Sequence, residues 1–199
     1  MKPLLKESLR KSIHLSSLIL PLSYRYLLGS NKRISFWVFL ILAILAVMVD
    51  LLRLEQLHFK RYFMRWFGQI LRRHEMAGFT GATFMMIAHL LCITIFSADT
   101  AFFAMSFLAI GDTFAAIVGL NLGKRKFKGM KKSLEGALGC FVSTFIFAML
   151  YSNQINPAVG FFGALSATIA EVINIPVDDN FKIPLISGIV MTIADILIF

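Results

Sequence analysis

Asp112 is an acid inside an otherwise apolar stretch: residues 100–111 before it and 113–123 after it carry no charge. The chain then turns basic over Lys124-Arg125-Lys126-Phe127-Lys128-Gly129-Met130-Lys131-Lys132. An ionised carboxylate within a membrane helix is costly unless it has a partner or a use, so the acid reads as a functional site, with a structural ion pair as the alternative. The six cations that follow form a surface that attracts phosphate. A carboxylate able to hold a cation, beside lysines able to hold phosphates, describes a metal–nucleotide site.

Helical spacing places Asp112 on one face with Ala115 or Ala116, Gly119 and Gly123. These small residues leave room for a ligand, or alternatively for close helix packing. Lys131, Lys132, Ser133 and Glu135 stand where the basic loop enters the next apolar segment, and a helix start offers free backbone N–H groups to phosphate. Ser133 also suits a helix cap. The run Gly119 to Arg125 does not fit the spacing of a phosphate loop and lacks its Ser or Thr, so a Walker-type ATP site is not indicated.

Glu171, Asp178, Asp179 and Asn180 offer hard oxygen ligands of the kind magnesium uses together with substrate phosphates. Pro176 and Pro184 are expected to open the backbone around them, a solvated Asp-Asp-Asn turn being the structural alternative. Arg10 and His14, four apart, share a helical face. His14, with an unperturbed pKa of about 6.5, is a candidate general base or a headgroup contact. Glu75 precedes Gly78-Phe79-Thr80-Gly81-Ala82-Thr83, a small-residue helix start that permits close approach; pairing with Arg72 or Arg73 is its alternative. Arg10, Thr80 and Asn180 are therefore candidates to touch substrate. His89 lies deeper and is expected to make an interhelical hydrogen bond. His58, His74 and the aromatic stretch 59–67 read as interfacial, with Arg61, Arg65 and Arg72 toward headgroups and Phe63, Trp66, Phe67 and Ile70 toward the acyl boundary.

The elements that must position these groups are membrane helices. The 199-residue chain is 58% hydrophobic and only 16% charged, whereas soluble domains carry roughly a quarter charged residues. The net charge of +9 is a topology signal rather than a nucleic-acid footprint, because the apolar spans leave little soluble domain to carry one. Cys92 and Cys140 fall in apolar segments without metal-ligand spacing, which excludes a disulfide framework or zinc site as the organising feature. The basic amino terminus resembles a signal peptide without a small-residue cleavage site, so an uncleaved first span is expected. At about 20 residues per span, the chain divides into about seven transmembrane helices, near 12–29, 34–54, 76–97, 100–122, 134–152, 157–174 and 183–199, within about 2–4 residues. The expected fold class is an all-α polytopic integral membrane protein, with residues 1–199 a single catalytic domain.

Loop charges orient it. Lys2, Lys6, Arg10 and Lys11, then Lys60, Arg61, Arg65, Arg72 and Arg73, then the basic loop alternate with loops poor in Lys and Arg. The positive-inside rule then puts the amino terminus and residues 55–75, 123–133 and 175–182 on the cytoplasmic side. The site would face the cytoplasm, in bacterial terms from the inner membrane. Arg10, Lys11, His14, Glu75, Asp112 through Glu135, Glu171 and Asp178-Asp179-Asn180 all approach that face, where a cytoplasmic nucleotide would meet a membrane lipid without crossing the bilayer.

Taken in order, RKSIH at 10–14, HEMAGFTGAT at 74–83, GDTFAAIVGLNLGKRKFKGMKKSLEGALG at 111–139 and EVINIPVDDNFKIPL at 171–185 resemble the CTP-dependent lipid kinase family. That family comprises dolichol, phytol and fungal-type diacylglycerol kinases and is related in fold to phosphatidate cytidylyltransferases. The resemblance implies that Asp112, Gly119, Gly123, Lys132 and Glu135 belong to a nucleotide-and-metal motif and Glu171, Asp179 and Asn180 to a later acidic motif. It also implies CTP as phosphoryl donor, with a polyprenol, phytol-like isoprenoid or diacylglycerol as acceptor. On this reading Mg2+ sits on Asp112, Glu171, Asp178 and Asp179; Gly119, Gly123, Lys124, Lys131, Lys132 and Ser133 surround the nucleotide. His14, Glu75 or a later acid would take the hydroxyl proton. The carboxy-terminal signature of a cytidylyltransferase is absent, which favours the kinase branch. CDP-lipid synthesis and a non-enzymatic lipid transporter are the alternatives, and a homo-oligomer is compatible with all three.

Overall fold

The computed structural model describes residues 3–130 and 132–198; Met1, Lys2, Phe199 and the expected phosphate contact Lys131 lie outside the described residues. Among these, all regular elements are helical, and the one pairing of extended backbone is a bridge between Lys126 and Ser133. In order they are α1 (Pro3–Ser16), α2 (Ile19–Leu22), a π-helical turn (Ser23–Leu27), α3 (Lys32–Glu55), α4 (Leu57–Phe67), a 3-10 turn (His74–Met76), α5 (Gly81–Ile95), α6 (Ala98–Leu122), α7 (Leu134–Leu150), α8 (Pro157–Val172) and α9 (Asp179–Ile198).

α6 is the axis. It is buried without interruption from Thr100 to Thr113, as befits a helix apolar on every side. α1, α5, α7, α8 and α9 pack against it. Its Phe102 and Phe103 meet Phe147 and Tyr151, with Phe102 and Phe147 ring centres 5.8 Å apart and Phe103 and Tyr151 6.3 Å apart. On the Asp112 face the small residues let two backbones touch: a Cβ added to Gly136 of α7 would lie 2.8 Å from the Ala115 carbonyl oxygen and 3.3 Å from Gly119 Cα. The glycines thus serve close helix packing, as small residues do between membrane helices.

α3 is peripheral. It buries one stripe, Ser35, Phe39, Ala43, Asp50 and Arg53, and leaves Ile41, Ile44, Leu45 and Met48 exposed. So much exposed apolar surface on one helix calls for a lipid surround. α3, α6 and α9 are each long and apolar enough to cross a membrane; α5, α7 and α8 are apolar but shorter. α4 buries no residue, and Leu57, Tyr62 and Trp66 are each about two-thirds exposed or more. Arginines on one side and aromatics on the other suit a helix in the interface plane.

Three expected boundaries differ. α5 starts at Gly81 rather than near 76, because His74–Met76 forms a separate 3-10 turn. The segment 12–29 is not one helix: α1 ends at Ser16, where the Ser17 hydroxyl donates to the His14 carbonyl at 2.5 Å. Such a local bond competes with the helical ladder, and Pro21 has no N–H to return to Ser17. The turn beyond is completed by Gly29 and Ser30, both at φ 56°. At the other end α9 starts at Asp179, so Pro184 lies inside the helix instead of opening a loop before it. Asp179 and Asn180 consequently occupy a helical first turn.

Candidate functional site

α1 lies against the middle of α6, and the contact is ionic. Lys11 Nζ donates to Asp112 Oδ2 at 2.5 Å and to the Asp112 main-chain oxygen at 3.0 Å. His14, three residues further along α1, brings Nε2 to 3.3 Å from both Asp112 Oδ2 and the Leu108 carbonyl oxygen. Lys11 and Asp112 are only 5% and 8% exposed, so the carboxylate has the partner that burial demands. Both neighbours of His14 Nε2 are acceptors, so this nitrogen carries the proton and Nδ1 is left as the basic one.

This trio lies in the wall of a cavity of about 470 Å³. Arg10, Arg72, Glu75, Thr80 and Asn180 also reach its wall, and Ile13, Leu45, Ala46, Val49, Phe63 and Met85 make it apolar elsewhere. Arg10 is paired with Glu7 at 2.5 Å. Glu75 does not pair with the side chains of Arg72 or Arg73; its carboxylate accepts from the backbone N–H of Arg72 at 2.6 Å and of Gly81 at 2.8 Å. It thereby fixes the turn leading into α5. That close approach needs Gly81, where a Cβ would meet Asn180 Nδ2 at 2.5 Å and Glu75 Oε1 at 3.2 Å.

Behind the turn stands a network built on Asp50, a residue the sequence reading passed over. Its Oδ2 accepts from the Thr80 N–H and hydroxyl and the Thr83 hydroxyl at 2.6–2.9 Å, and its Oδ1 from Arg53 at 2.8 Å. Arg53, wholly buried, donates onward to the carbonyls of Glu75 and Gly78, with Phe63 over its guanidinium. The signal was available: an acid and an arginine three apart near the end of an apolar helix are themselves costly intramembrane charges. Lys11 was similarly placed only on the cytoplasmic face and given no partner.

A second cluster adjoins the cavity, because Asp179 and cavity-lining Asn180 are successive residues. Lys132 Nζ lies 3.2 Å from Glu171 Oε1 and 3.3 Å from Asp179 Oδ2 and also donates to the Glu171 carbonyl oxygen. Lys182 holds Asp179 Oδ1 at 2.8 Å and the Ile173 carbonyl at 2.5 Å. Asp178 stands apart from this cluster: it accepts from Asn180 N and Nδ2 and lies 3.6 Å from Arg72 and 3.8 Å from His74.

Among the described residues, no three His, Cys, Asp or Glu side chains group into a ready-made metal cage. The expected set Asp112, Glu171, Asp178 and Asp179 is divided among Lys11, Lys132 and Arg72 as partners. Glu171 and Asp179 nevertheless converge on one ammonium. Two hard oxygen donors around one cation fit a magnesium ion that takes its other ligands from phosphates and water.

The remaining candidates gather at the α6–α7 turn. The Ser133 hydroxyl accepts from Gly136 N at 3.1 Å and so caps α7, while a Cβ on Gly123 would lie 2.6 Å from that hydroxyl. Glu135 accepts from Arg125 N at 3.2 Å and ties down the basic loop, which folds back through Phe127 N to the Lys132 carbonyl and Leu134 N to the Arg125 carbonyl. Lys124 is in this loop, separate from the cavity wall. His89, expected to bond across helices, is buried beside Phe39 without a hydrogen-bond partner for either ring nitrogen.

Fold and site define an all-helical protein with membrane-length helices and an internal cavity that is charged at one part and apolar at another. No family model matches the chain, and no solved structure matches it significantly. Among curated proteins it is 31% identical to an uncharacterized protein of Methanocaldococcus jannaschii over 66% of this chain and 69% of that one. It is 27% identical to an uncharacterized protein of Rickettsia prowazekii over 90% of each chain. It is also 25% identical to CTP-dependent diacylglycerol kinase 1 of Saccharomyces cerevisiae over 92% of this chain and 71% of that one. The chain belongs to one family with the M. jannaschii protein, and its likeness to the yeast enzyme supports a CTP-dependent lipid kinase family.

Proposed function

We propose that this protein transfers the γ-phosphoryl group of CTP to the hydroxyl of a membrane lipid alcohol, diacylglycerol being the acceptor its named relatives suggest. Polyprenol and phytol-like alcohols are the other acceptors to test. The observation that carries the reading is one cavity in which the Lys11–Asp112–His14 group meets an apolar wall, next to the Lys132–Glu171–Asp179 cluster. The positive-inside pattern supports a cytoplasmic active site in an integral membrane protein.

In the proposed reaction the lipid oxygen attacks the γ-phosphorus, the bond to the bridging β–γ oxygen breaks, and CDP leaves. Phosphoryl transfer of this kind depends mainly on positioning and charge stabilisation. His14 Nδ1 takes the hydroxyl proton; Asp112 and the Leu108 carbonyl hold the ring through Nε2, and Lys11 holds Asp112. Asp112 acts in this reading as a partner of Lys11 and His14 rather than as the principal metal anchor. Glu171 and Asp179 would hold magnesium, which would neutralise phosphate charge. Lys132 and the basic loop, with the helix start at Ser133, hold the phosphates. Arg10, Thr80 and Asn180 line the acceptor side, and Glu75 keeps the α5 turn in place.

Purified protein supplied with γ-labelled CTP, magnesium and a panel of lipid alcohols tests the proposal. Label in lipid phosphate, with CDP as co-product, is expected. Pyrophosphate plus CDP-lipid would make the protein a cytidylyltransferase, and no nucleotide turnover would leave a lipid-binding protein.

A further inference from the structure

The cavity has a direction. Its lining runs from Arg10 on α1 to Ser17 just past that helix, and on α3 from Asp50 back to Leu45, about 7.5 Å at a helical rise of 1.5 Å per residue. Arg10, Lys11, His14 and Asp50 supply its charge and polarity, and Ile13, Leu45, Ala46 and Val49 supply hydrocarbon. α1 packs on α6 and α3 on α5, and both helices contribute to the cavity wall. Ile13, Leu45 and Val49 line the cavity and are 55%, 45% and 36% exposed, so this part of its wall is open rather than enclosed. By helical period Leu45 and Val49 adjoin Ile41, Ile44 and Met48, the exposed apolar face of α3. Phe63 and Phe67 of the unburied helix α4 also border it.

We infer that the gap between α1 and α3 is a lateral slot for the hydrocarbon of the acceptor: the hydroxyl lies at Asp112 and His14 while the chain passes Ile13, Ala46 and Val49 into the bilayer. This rests on the reading that the cavity takes a lipid alcohol. Moving a chain from lipid tails to such a slot brings no hydrophobic gain, since the tails are as apolar as leucine. The slot therefore selects by width near the hydroxyl and is indifferent to chain length beyond its mouth. Ala46, the small residue that α3 contributes to the wall, sets that width on the α3 side.

A diacylglycerol carrying a diazirine midway along one acyl chain, photolysed with the full-length protein in nanodiscs without CTP, tests the slot directly. Label is expected on peptides spanning residues 12–17 and 44–49, competed by dioleoylglycerol and not by phosphatidylcholine. Ala46→Trp should remove the label and lower kcat/KM for dioleoylglycerol by about tenfold or more, the scale of a steric mismatch in an apolar pocket. KM for CTP should be unchanged. Ala46→Phe serves if the tryptophan variant does not fold, and labelling of the unaltered protein depends on neither. Label confined to other surfaces, equal competition by phosphatidylcholine, or undiminished turnover in the folded variants would overturn the slot. Specific label in the slot of a protein that transfers no phosphate from CTP would sink the kinase reading and leave the slot standing.

Discussion

Lys11 and Asp112, 101 residues apart in sequence, meet at 2.5 Å in the buried contact between α1 and α6. That ion pair joins the amino-terminal helix to the central one and places His14 beside the same carboxylate. The fold and the proposed chemistry therefore share that contact.

Removing one partner of a buried pair leaves the other charge uncompensated, at about 3–5 kcal/mol. Lys11→Met and Asp112→Asn should each lose most lipid phosphorylation, and the double variant should be less impaired in thermal stability than the two single losses added together. Turnover and melting temperature across a magnesium titration provide the check. Near-normal activity in Asp112→Asn would reduce the residue to an interhelical hydrogen bond.

His14→Gln keeps an amide N–H donor for Leu108 and Asp112 but has no basic nitrogen. General bases contribute about 10²–10⁴-fold, so kcat should fall by that order while KM for CTP and stability stay put. Steady-state kinetics decides, and a loss smaller than about threefold would transfer the role to another group.

Glu171→Gln and Asp179→Asn should raise the magnesium concentration needed for half-maximal rate, and Lys132→Ala should raise KM for CTP. Lys126→Ala removes one cation from a loop that contains several and should change either constant little. An unchanged magnesium dependence in both acid variants would separate the cluster from metal binding.

Arg53 touches no expected substrate group but holds Asp50 and two carbonyls of the α5 turn while wholly buried. Arg53→Ala should destabilise by about 3–5 kcal/mol, since it strands a buried carboxylate. Melting in detergent would show it, and a variant with normal stability but no activity would move Arg53 into the substrate site.

Single cysteines at Lys60→Cys and Lys128→Cys, in a protein lacking Cys92 and Cys140, should resist an impermeant thiol reagent applied outside intact cells. Efficient external labelling at either would reverse the orientation argued from loop charge.

Much of this protein was written locally. An apolar run with one acid identified α6 and Asp112, the serine before Leu134 suited a cap that the structure contains, and Gly119 and Gly123 left close helix packing as one of two readings, with Gly119 now found against Gly136 of α7. Helical period and the cost of membrane-buried charge act over a few residues, so sequence exposes them. Partnership across the fold was not legible in that way. The string Arg10 to His14 contains the right residues but not the fact that Lys11 takes Asp112, and an acid at position 50 does not disclose that Thr80, Thr83 and Arg53 close on it. Glu171 and Asp179 were recognisable as oxygen ligands, yet only packing of α7, α8 and α9 brought them to one lysine and left Asp178 to Arg72. A buried charge must find an opposite charge or a donor somewhere; the sequence states that requirement, and the tertiary structure alone chooses which distant residue meets it.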